Sequence, residues 1–288
     1  MSKPGLLSSP VRPELAYKNQ RFLTSTEART IRILSEYLEP QVKLRKAGVQ
    51  NTVVFFGSAR IIPRDVALEK LNALESMTSG SGASGTEEDL RAARMAVDMA
   101  RYYEEARRLS FLITQWSNSL NRGSNFIVVC SGGGPGIMEA ANRGAFEAGG
   151  KSLGLNILLP TEQEPNQYIT PELSFVFHYF FMRKLWFAQP AKALIVFPGG
   201  FGTMDELWEF LTLLQTGKMR QRAAVLLYGA EYWRRAINFE WLREAGTISG
   251  DDLSLIHYAD SPDEAFDLLK QGLSRDKTLR SALTRRFF

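Results

Sequence analysis

The chain has 288 residues, of which 44% are hydrophobic and 23% are charged, and its formal net charge is +4. This is the composition of an ordinary soluble globular protein, long enough for one large α/β domain or two small ones. No apolar stretch reaches the roughly 20 residues that span a bilayer, and the N-terminus has no signal-peptide core. We therefore expect a cytoplasmic protein without a membrane partner.

Few residues are suited to holding a metal. The single cysteine, Cys130, lies in an apolar run, which argues against a disulfide framework and a cysteine-ligated zinc site. The two histidines, His178 and His257, are isolated from each other in the sequence. We expect neither a metal nor a cofactor. Lys and Arg are spread along the chain in small clusters, which favours solvated helix surfaces over a nucleic-acid interface.

Apolar runs alternate with helical periodicity from residue 51 to residue 275. This alternation predicts a Rossmann-like, doubly wound parallel α/β sheet of about seven strands. The predicted strands are 53–56, 126–130, 153–159, 173–178, 193–197, 223–228 and 255–258. The predicted helices are 91–109, 137–148, 183–188, 203–215, 231–244 and 262–273.

Three segments lie outside this pattern. Residues 1–50 are predicted to be an N-terminal extension with one amphipathic helix over 25–38, which Pro40 ends. Residues 76–88 are rich in Gly and Ser and are predicted to form a flexible insertion. Residues 276–288 form a basic C-terminal tail.

Two glycine-containing segments follow the first and second predicted strands, at the sheet edge where open α/β folds bind ligands. After the first strand, Gly57 precedes Ser58 and Arg60, which could contact a phosphate or could be a helix cap and a surface arginine. After the second strand come Gly132, Gly133 and Gly134, which satisfy neither the G-x-G-x-x-G dinucleotide fingerprint nor Walker A. These segments therefore favour a mononucleotide or a sugar phosphate over a dinucleotide or ATP.

The segment after the fifth predicted strand reads P-G-G-F-G-T-M-D-E over residues 198–206. A strand, a glycine turn and a helix start form an anion site, because unpaired N–H groups and the positive end of the helix dipole meet there. The glycines of the turn are Gly199, Gly200 and Gly202, and Thr203 follows them. Glu206 could complete a capping box with Thr203, or its carboxylate could face the pocket.

These motifs together resemble the LONELY GUY (LOG) family, whose pattern is P-G-G-x-G-T-x-x-E with an upstream Arg-Lys pair. Here the upstream pair is Arg183-Lys184, preceded by Met182. The runs S-G-G-G-P-G-I-M-E and S-L-G-L-N-I-x-L-P are similar to bacterial members of the family. The resemblance extends over about residues 52–258.

The resemblance implies a phosphoribohydrolase that cleaves the N-glycosidic bond of AMP or of an N6-modified (cytokinin) nucleoside monophosphate. Arg183 and Glu206 match the family's catalytic pair. A second carboxylate is left open between Glu139 and Asp205. The other matching positions, expected to bind substrate, are Gly57, Ser58, Gly132, Gly133, Gly134, Met182, Lys184, Gly199, Gly200, Gly202 and Thr203.

The resemblance also implies a homodimer or a higher homo-oligomer with a small nucleotide as its substrate. Recognition of the base is expected from aromatic residues near the site, and these could equally belong to the core or to a subunit interface. They are Phe180, Phe181, Trp186 and Phe201. The alternative function is a non-catalytic nucleotide-binding or carrier protein, since molybdenum-cofactor carriers also use Rossmann-like domains with glycine loops.

Overall fold

The computed structural model describes residues 13–78, 87–120, 127–160, 164–219 and 224–275. Its strands are β1 Asn51–Phe56, β2 Ile127–Ser131, β3 Ser152–Ile157, β4 Ser174–Phe177, β5 Ala191–Val196, β6 Ala224–Tyr228 and β7 Ile256–Ala259. Its helices are α1 Gln20–Leu23, α2 Arg29–Lys46, α3 Arg64–Thr78, α4 Glu87–Met99, α5 Arg101–Ser119, α6 Ile137–Glu147, α7 Phe180–Ala188, α8 Phe201–Gln215, α9 Ala230–Ala236, α10 Phe239–Glu244 and α11 Pro262–Arg275. No described helix is long and apolar enough to cross a membrane.

The seven strands form one parallel sheet in the order β4-β3-β2-β1-β5-β6-β7. The predicted Rossmann-like α/β fold is therefore confirmed. The chain builds outward from β1 to β4, then crosses to β5 and builds outward on the other side. The strand order thus reverses between β1 and β5, which is where open parallel sheets leave a ligand crevice at the carboxyl ends of their strands.

Each face of the sheet is covered by its own layer of helices. On one face, α5, α6 and α11 pack against apolar side chains of the central strands such as Phe55 and Ile195. On the other, α7, α8 and α9 pack against residues such as Val54 and Leu194. Central strands that are buried on both faces are continuous apolar runs, so the sequence pattern predicts their positions.

The N-terminal helix differs from its prediction. It spans Arg29–Lys46, and Pro40 lies buried inside it instead of ending it. Proline removes one intrahelical hydrogen bond, to the carbonyl four residues earlier. Here that carbonyl, of Glu36, accepts a hydrogen bond from the indole Nε1 of Trp186 at 3.1 Å, so the lost bond is replaced by a tertiary one.

Two other predicted helices are each divided into two in the structure. The predicted helix 91–109 is two helices, α4 and α5, which meet at Ala100, and the predicted helix 231–244 is α9 and α10. Helix α3 was not predicted, and it includes Ser76–Thr78 of the predicted insertion, while Glu87 begins α4. Residues 79–86 of that insertion, the tail 276–288 and residues 1–12 lie outside the described residues.

Candidate functional site

A cavity of about 710 Å³ opens at the point where the strand order reverses. Two loops are joined there, because the backbone N–H of Ser58, after β1, donates to the carbonyl of Pro198, after β5, at 3.0 Å. The predicted site residues that line the cavity are Gly57, Ser58, Gly132, Arg183, Gly199, Gly200, Gly202, Thr203 and Glu206. Four segments far apart in sequence therefore contribute to one cavity.

The glycine turn at the start of α8 forms one wall. Gly200 is the N-cap residue of α8, and among the described residues no side chain caps this helix. The Gly199 carbonyl accepts a hydrogen bond from the hydroxyl of Tyr232 at 2.9 Å, which fixes the turn from α9. A Cβ on Gly199 would overlap the side chain of Thr203, so the turn requires glycine there. The N–H groups of the first turn of α8 are thus presented toward the cavity without a side-chain partner.

Arg183 of α7 and Glu206 of α8 form an ion pair in the cavity wall. The Nη2 atom of Arg183 lies 3.3 Å from Oε1 of Glu206. The Glu206 side chain is 3% exposed and that of Arg183 is 15% exposed. Oε2 of Glu206 and Nε of Arg183 are both buried without a hydrogen-bond partner. Burial of unsatisfied polar atoms is costly, so this pair has hydrogen-bonding capacity that the described part of the chain leaves unused.

Burial raises the pKa of Glu206 above its usual value of 4.5, and the positive charges of Arg183 and Lys184 oppose this rise. The capping role considered for this residue does not hold. Because α8 begins at Phe201, Glu206 lies beyond the first turn, and its only hydrogen bond within the described residues is with Arg183. The carboxylate is therefore not needed to complete the helix.

The neighbouring residues hold Arg183 in place. Its guanidinium lies over the rings of Phe180 and Phe187, at 5.6 Å and 5.4 Å from their centroids. The next residue, Lys184, forms ion pairs with Asp205 at 2.9 Å and with Glu209 at 3.1 Å. These pairs tie α7 to α8 on the side away from the cavity, since none of the three residues lines it.

The glycine loop after β2 is fixed by side-chain amides. The Asn166 side chain donates to the carbonyls of Gly133 and Gly134, at 3.1 Å and 3.0 Å, and to Oδ1 of Asn142 at 2.9 Å. Gly133 has φ +77°, and a Cβ on it would lie 2.5 Å from the Asn156 carboxamide. Gly132 lines the cavity, whereas Gly133 and Gly134 do not, so their part is to shape the loop.

Both residues considered for a second carboxylate lie elsewhere. Glu139 accepts a hydrogen bond from the Tyr103 hydroxyl at 2.6 Å, and Asp205 pairs with Lys184. Among the described residues that line the cavity, Glu206 is the only carboxylate. Met182 is also absent from the lining and packs instead against the core below α7.

The lining also contains residues to which the sequence motifs assigned no role. Asn156 at the end of β3, Met138 in the first turn of α6 and Tyr232 of α9 were not predicted as site residues. Phe180 and Phe201 line the cavity, whereas Trp186 is buried in the core and Phe181 lies outside the lining. Asn156 lies in the S-L-G-L-N-I-x-L-P run near the carboxyl end of β3, and that position is the signal by which the sequence could have indicated it. The described residues contain no group of three His, Cys, Asp or Glu side chains that could hold a metal ion.

Comparison with known proteins gives one family match. Residues 138–269 match the family described as "Possible lysine decarboxylase". It is the family that the motifs predict, since members of the LONELY GUY family have often carried the decarboxylase label, and the resemblance is confirmed.

No curated protein matches the chain in sequence. Several solved structures resemble it at low identity, including the two that follow. The molybdenum cofactor carrier protein of Chlamydomonas reinhardtii is 22% identical, with 61% of this chain and 89% of that chain covered and a TM-score of 0.43. The molybdenum cofactor binding protein of Rippkaea orientalis is 16% identical, with 77% and 96% covered and a TM-score of 0.44. Neither likeness bears on what this chain binds.

Proposed function

We propose that the protein hydrolyses the N-glycosidic bond of nucleoside 5′-monophosphates, AMP or N6-modified AMP, to free base and ribose 5-phosphate. The observation that carries the proposal is the buried Arg183–Glu206 pair, with one carboxylate oxygen unpartnered, beside a glycine turn whose N–H groups have no side-chain cap. An anion site and a lone buried carboxylate in one cavity suit a substrate that has a phosphate at one end and develops positive charge at the other.

The phosphate would lie against the first turn of α8. Backbone N–H groups and the positive end of the helix dipole favour an anion there, and Gly200 and Gly202 leave room for it to approach. Arg60 and Ser58, in the loop after β1, line the same cavity and add a positive charge and a hydroxyl. Binding energy from the phosphate would then hold the ribose in place for reaction at C1′.

The carboxylate of Glu206 would act at C1′. As the bond from C1′ to the base nitrogen breaks, the ribose becomes oxocarbenium-like, and a nearby carboxylate stabilises its positive charge. A water adds to C1′ and loses a proton, which Glu206 can accept, while the departing base gains a proton. Arg183 would keep Glu206 ionised and orient the substrate. This arrangement differs from glycosidases with two carboxylates in the cavity.

The family description does not suit this cavity. A decarboxylase that uses pyridoxal phosphate needs a lysine to form a Schiff base. The described residues that line the cavity include no lysine, and Lys184 is engaged with Asp205 and Glu209. A phosphate subsite, by contrast, serves a nucleotide equally well.

The proposal includes a homodimer or a higher homo-oligomer. Phe201 is 94% exposed at the mouth of the cavity, and Trp208, Phe180 and Phe181 are also exposed on α7 and α8. Exposed aromatic side chains grouped around a site are typical of surfaces that another subunit covers. Light scattering on the purified protein would test this assembly.

The test is a panel of nucleoside monophosphates, including N6-modified AMP, assayed for release of free base. We expect Glu206→Gln to lower kcat by about 100-fold or more, as loss of an acid–base group does, while AMP binding is largely kept. Glu240→Gln is the matched control, because this carboxylate on α10 is exposed, pairs with Arg243 of its own helix at 2.9 Å and lies outside the cavity, and the variant should retain most turnover. Normal turnover by Glu206→Gln would contradict the role of Glu206. Saturable AMP binding with no product from any nucleotide would favour the alternative, a non-catalytic nucleotide carrier.

A further inference from the structure

The N-terminal helix α2 contacts the start of the helix that carries Arg183. The carboxylate of Glu36 accepts hydrogen bonds from the backbone N–H of His178 at 2.8 Å and of Tyr179 at 3.3 Å. Tyr179 is the N-cap residue of α7, and its own side chain makes no capping hydrogen bond. Glu36 therefore holds the two residues that lead into α7, with its negative charge at the positive end of the helix dipole.

The same residue also contacts the last turn of α7. Because Pro40 has no N–H, the main-chain carbonyl of Glu36 is left without its helical donor, and Trp186 donates to it at 3.1 Å. Trp186 is 3% exposed and packs against Tyr37 with ring centroids 6.0 Å apart. Glu36 thus anchors α7 through its carboxylate at one end and through its carbonyl at the other.

Arg183 lies between these two anchor points. Its guanidinium meets Glu206 of α8 at a single distance of 3.3 Å, so a small shift or rotation of α7 would separate the pair. Movements of about 1 Å in positioning elements can cost as much as 100-fold in rate. The geometry of the candidate site therefore depends on a segment that lies outside the family resemblance.

We propose that Glu36 is a positioning residue that fixes the position of Arg183 relative to Glu206. The geometry of the site would then depend on the N-terminal helix α2. The kinetic consequence rests on the proposed function, whereas the anchoring of α7 does not. Residues 29–46 would then be required for turnover even though none of them lines the cavity.

Glu36→Ala and Glu36→Gln test this, with Glu39→Ala as the matched control. Glu39 lies on the same helix, its side chain is 60% exposed and it pairs with Lys43 of α2. We expect kcat/KM for AMP to fall about tenfold in Glu36→Ala and less in Glu36→Gln, whose carboxamide oxygen still accepts a hydrogen bond. The control should stay within about twofold of the unmodified protein.

A double-variant cycle separates positioning from general destabilisation. If Glu36 acts through Arg183, then adding Glu36→Ala to Arg183→Lys should cost less than about twofold, because the pair is already disturbed. If Glu36→Ala lowers kcat/KM equally in the unmodified protein and in Arg183→Lys, the proposal is overturned. If Glu36→Ala does not fold, the same double-variant cycle is measured with Glu36→Gln.

Hydrogen exchange supplies a readout that does not need turnover. In Glu36→Ala the amides of His178, Tyr179 and the first turn of α7 should exchange faster than in Glu39→Ala. Unchanged exchange there would refute the anchoring. Faster exchange in a protein that hydrolyses no nucleotide would refute the proposed function and leave the anchoring supported.

Discussion

Gly202→Ala separates folding from binding in the glycine turn. Gly202 is the second residue of α8, and a Cβ added there meets no atom within 4 Å. Alanine in a helix is favoured over glycine by about 0.5–1 kcal/mol, so the unliganded protein should become slightly more stable. For a chain of this size that corresponds to a rise in Tm of about 2 °C.

The same methyl group should weaken nucleotide binding. Gly202 lines the cavity at the helix start, where the phosphate is proposed to lie. Displacing the phosphate from one charge-assisted hydrogen bond costs about 1.5–3 kcal/mol, which is about a 10- to 100-fold rise in KM. The variant is therefore expected to be more stable and less able to bind substrate, a combination that unfolding cannot produce.

Two other glycines serve as references. Gly250 has an ordinary helical φ of −61° and open space around it, far from the cavity in sequence, so Gly250→Ala should leave KM unchanged. Gly199→Ala should lose about 1–3 kcal/mol of stability, because its Cβ overlaps the buried side chain of Thr203. Thermal unfolding without ligand and KM for AMP are measured for each variant. A Gly202→Ala protein with unchanged KM would refute the position proposed for the phosphate.

Three further predictions concern charge, packing and the thiol. Because burial raises the pKa of Glu206, the native state holds an extra proton between pH 4.5 and the raised value, so stability falls and activity rises as pH increases through that range. The free energy of unfolding, measured by urea titration at several pH values, should fall with rising pH in the unmodified protein and should not do so in Glu206→Gln. An identical pH dependence in both proteins would contradict this prediction. Gly144→Ala should cost about 1–3 kcal/mol or more, because its Cβ overlaps the Arg107 carbonyl oxygen where α6 crosses α5, and unchanged urea unfolding would argue against that close contact. Cys130 is fully buried and burial raises its pKa, so a thiol reagent should react with it only after denaturation, and rapid labelling of the native protein would contradict this.

The sheet could be predicted because its strands are defined by local sequence. All seven predicted strands exist, and their ends differ from the prediction by at most two residues. Helix boundaries depended on tertiary contacts that local signals do not carry. Pro40 marks a helix end by every local rule, yet α2 continues through it because Trp186 supplies the missing donor. Ala100, where α4 meets α5, is an ordinary helix former with no Gly or Pro beside it.

Site residues could be predicted where a glycine motif follows the end of a predicted strand. Gly57, Gly132 and Gly199 each follow a parallel strand, and the sheet topology places all three at one edge. Asn156 and Tyr232 could not be found in this way. Which loop faces the side chain of a strand-end residue, and which helix lies across the glycine turn, depend on three-dimensional packing. Glu139 is the opposite case, a residue whose sequence position suggested the site but whose side chain lies elsewhere. It is an acid in the first turn of α6 beside a glycine loop, yet its carboxylate accepts a hydrogen bond from Tyr103 and does not line the cavity.

Glu206 is the residue whose presence folding explains least. Its carboxylate is 3% exposed, has one partner at 3.3 Å, and leaves one oxygen buried and unsatisfied. A buried ion pair is seldom a net source of stability, and two uncharged side chains of similar volume in place of Arg183 and Glu206 would pack at no greater cost. Helix capping would have been a structural reason for an acid here, but the start of α8 at Phe201 removes it. A carboxylate kept at a cost to stability, with its free oxygen in a cavity beside an uncapped helix start, is best explained by a ligand that uses it. Replacing both partners together, Arg183→Met with Glu206→Gln, should therefore leave the protein at least as stable at neutral pH while removing turnover, and a marked loss of stability in that double variant would show that the pair is structural instead.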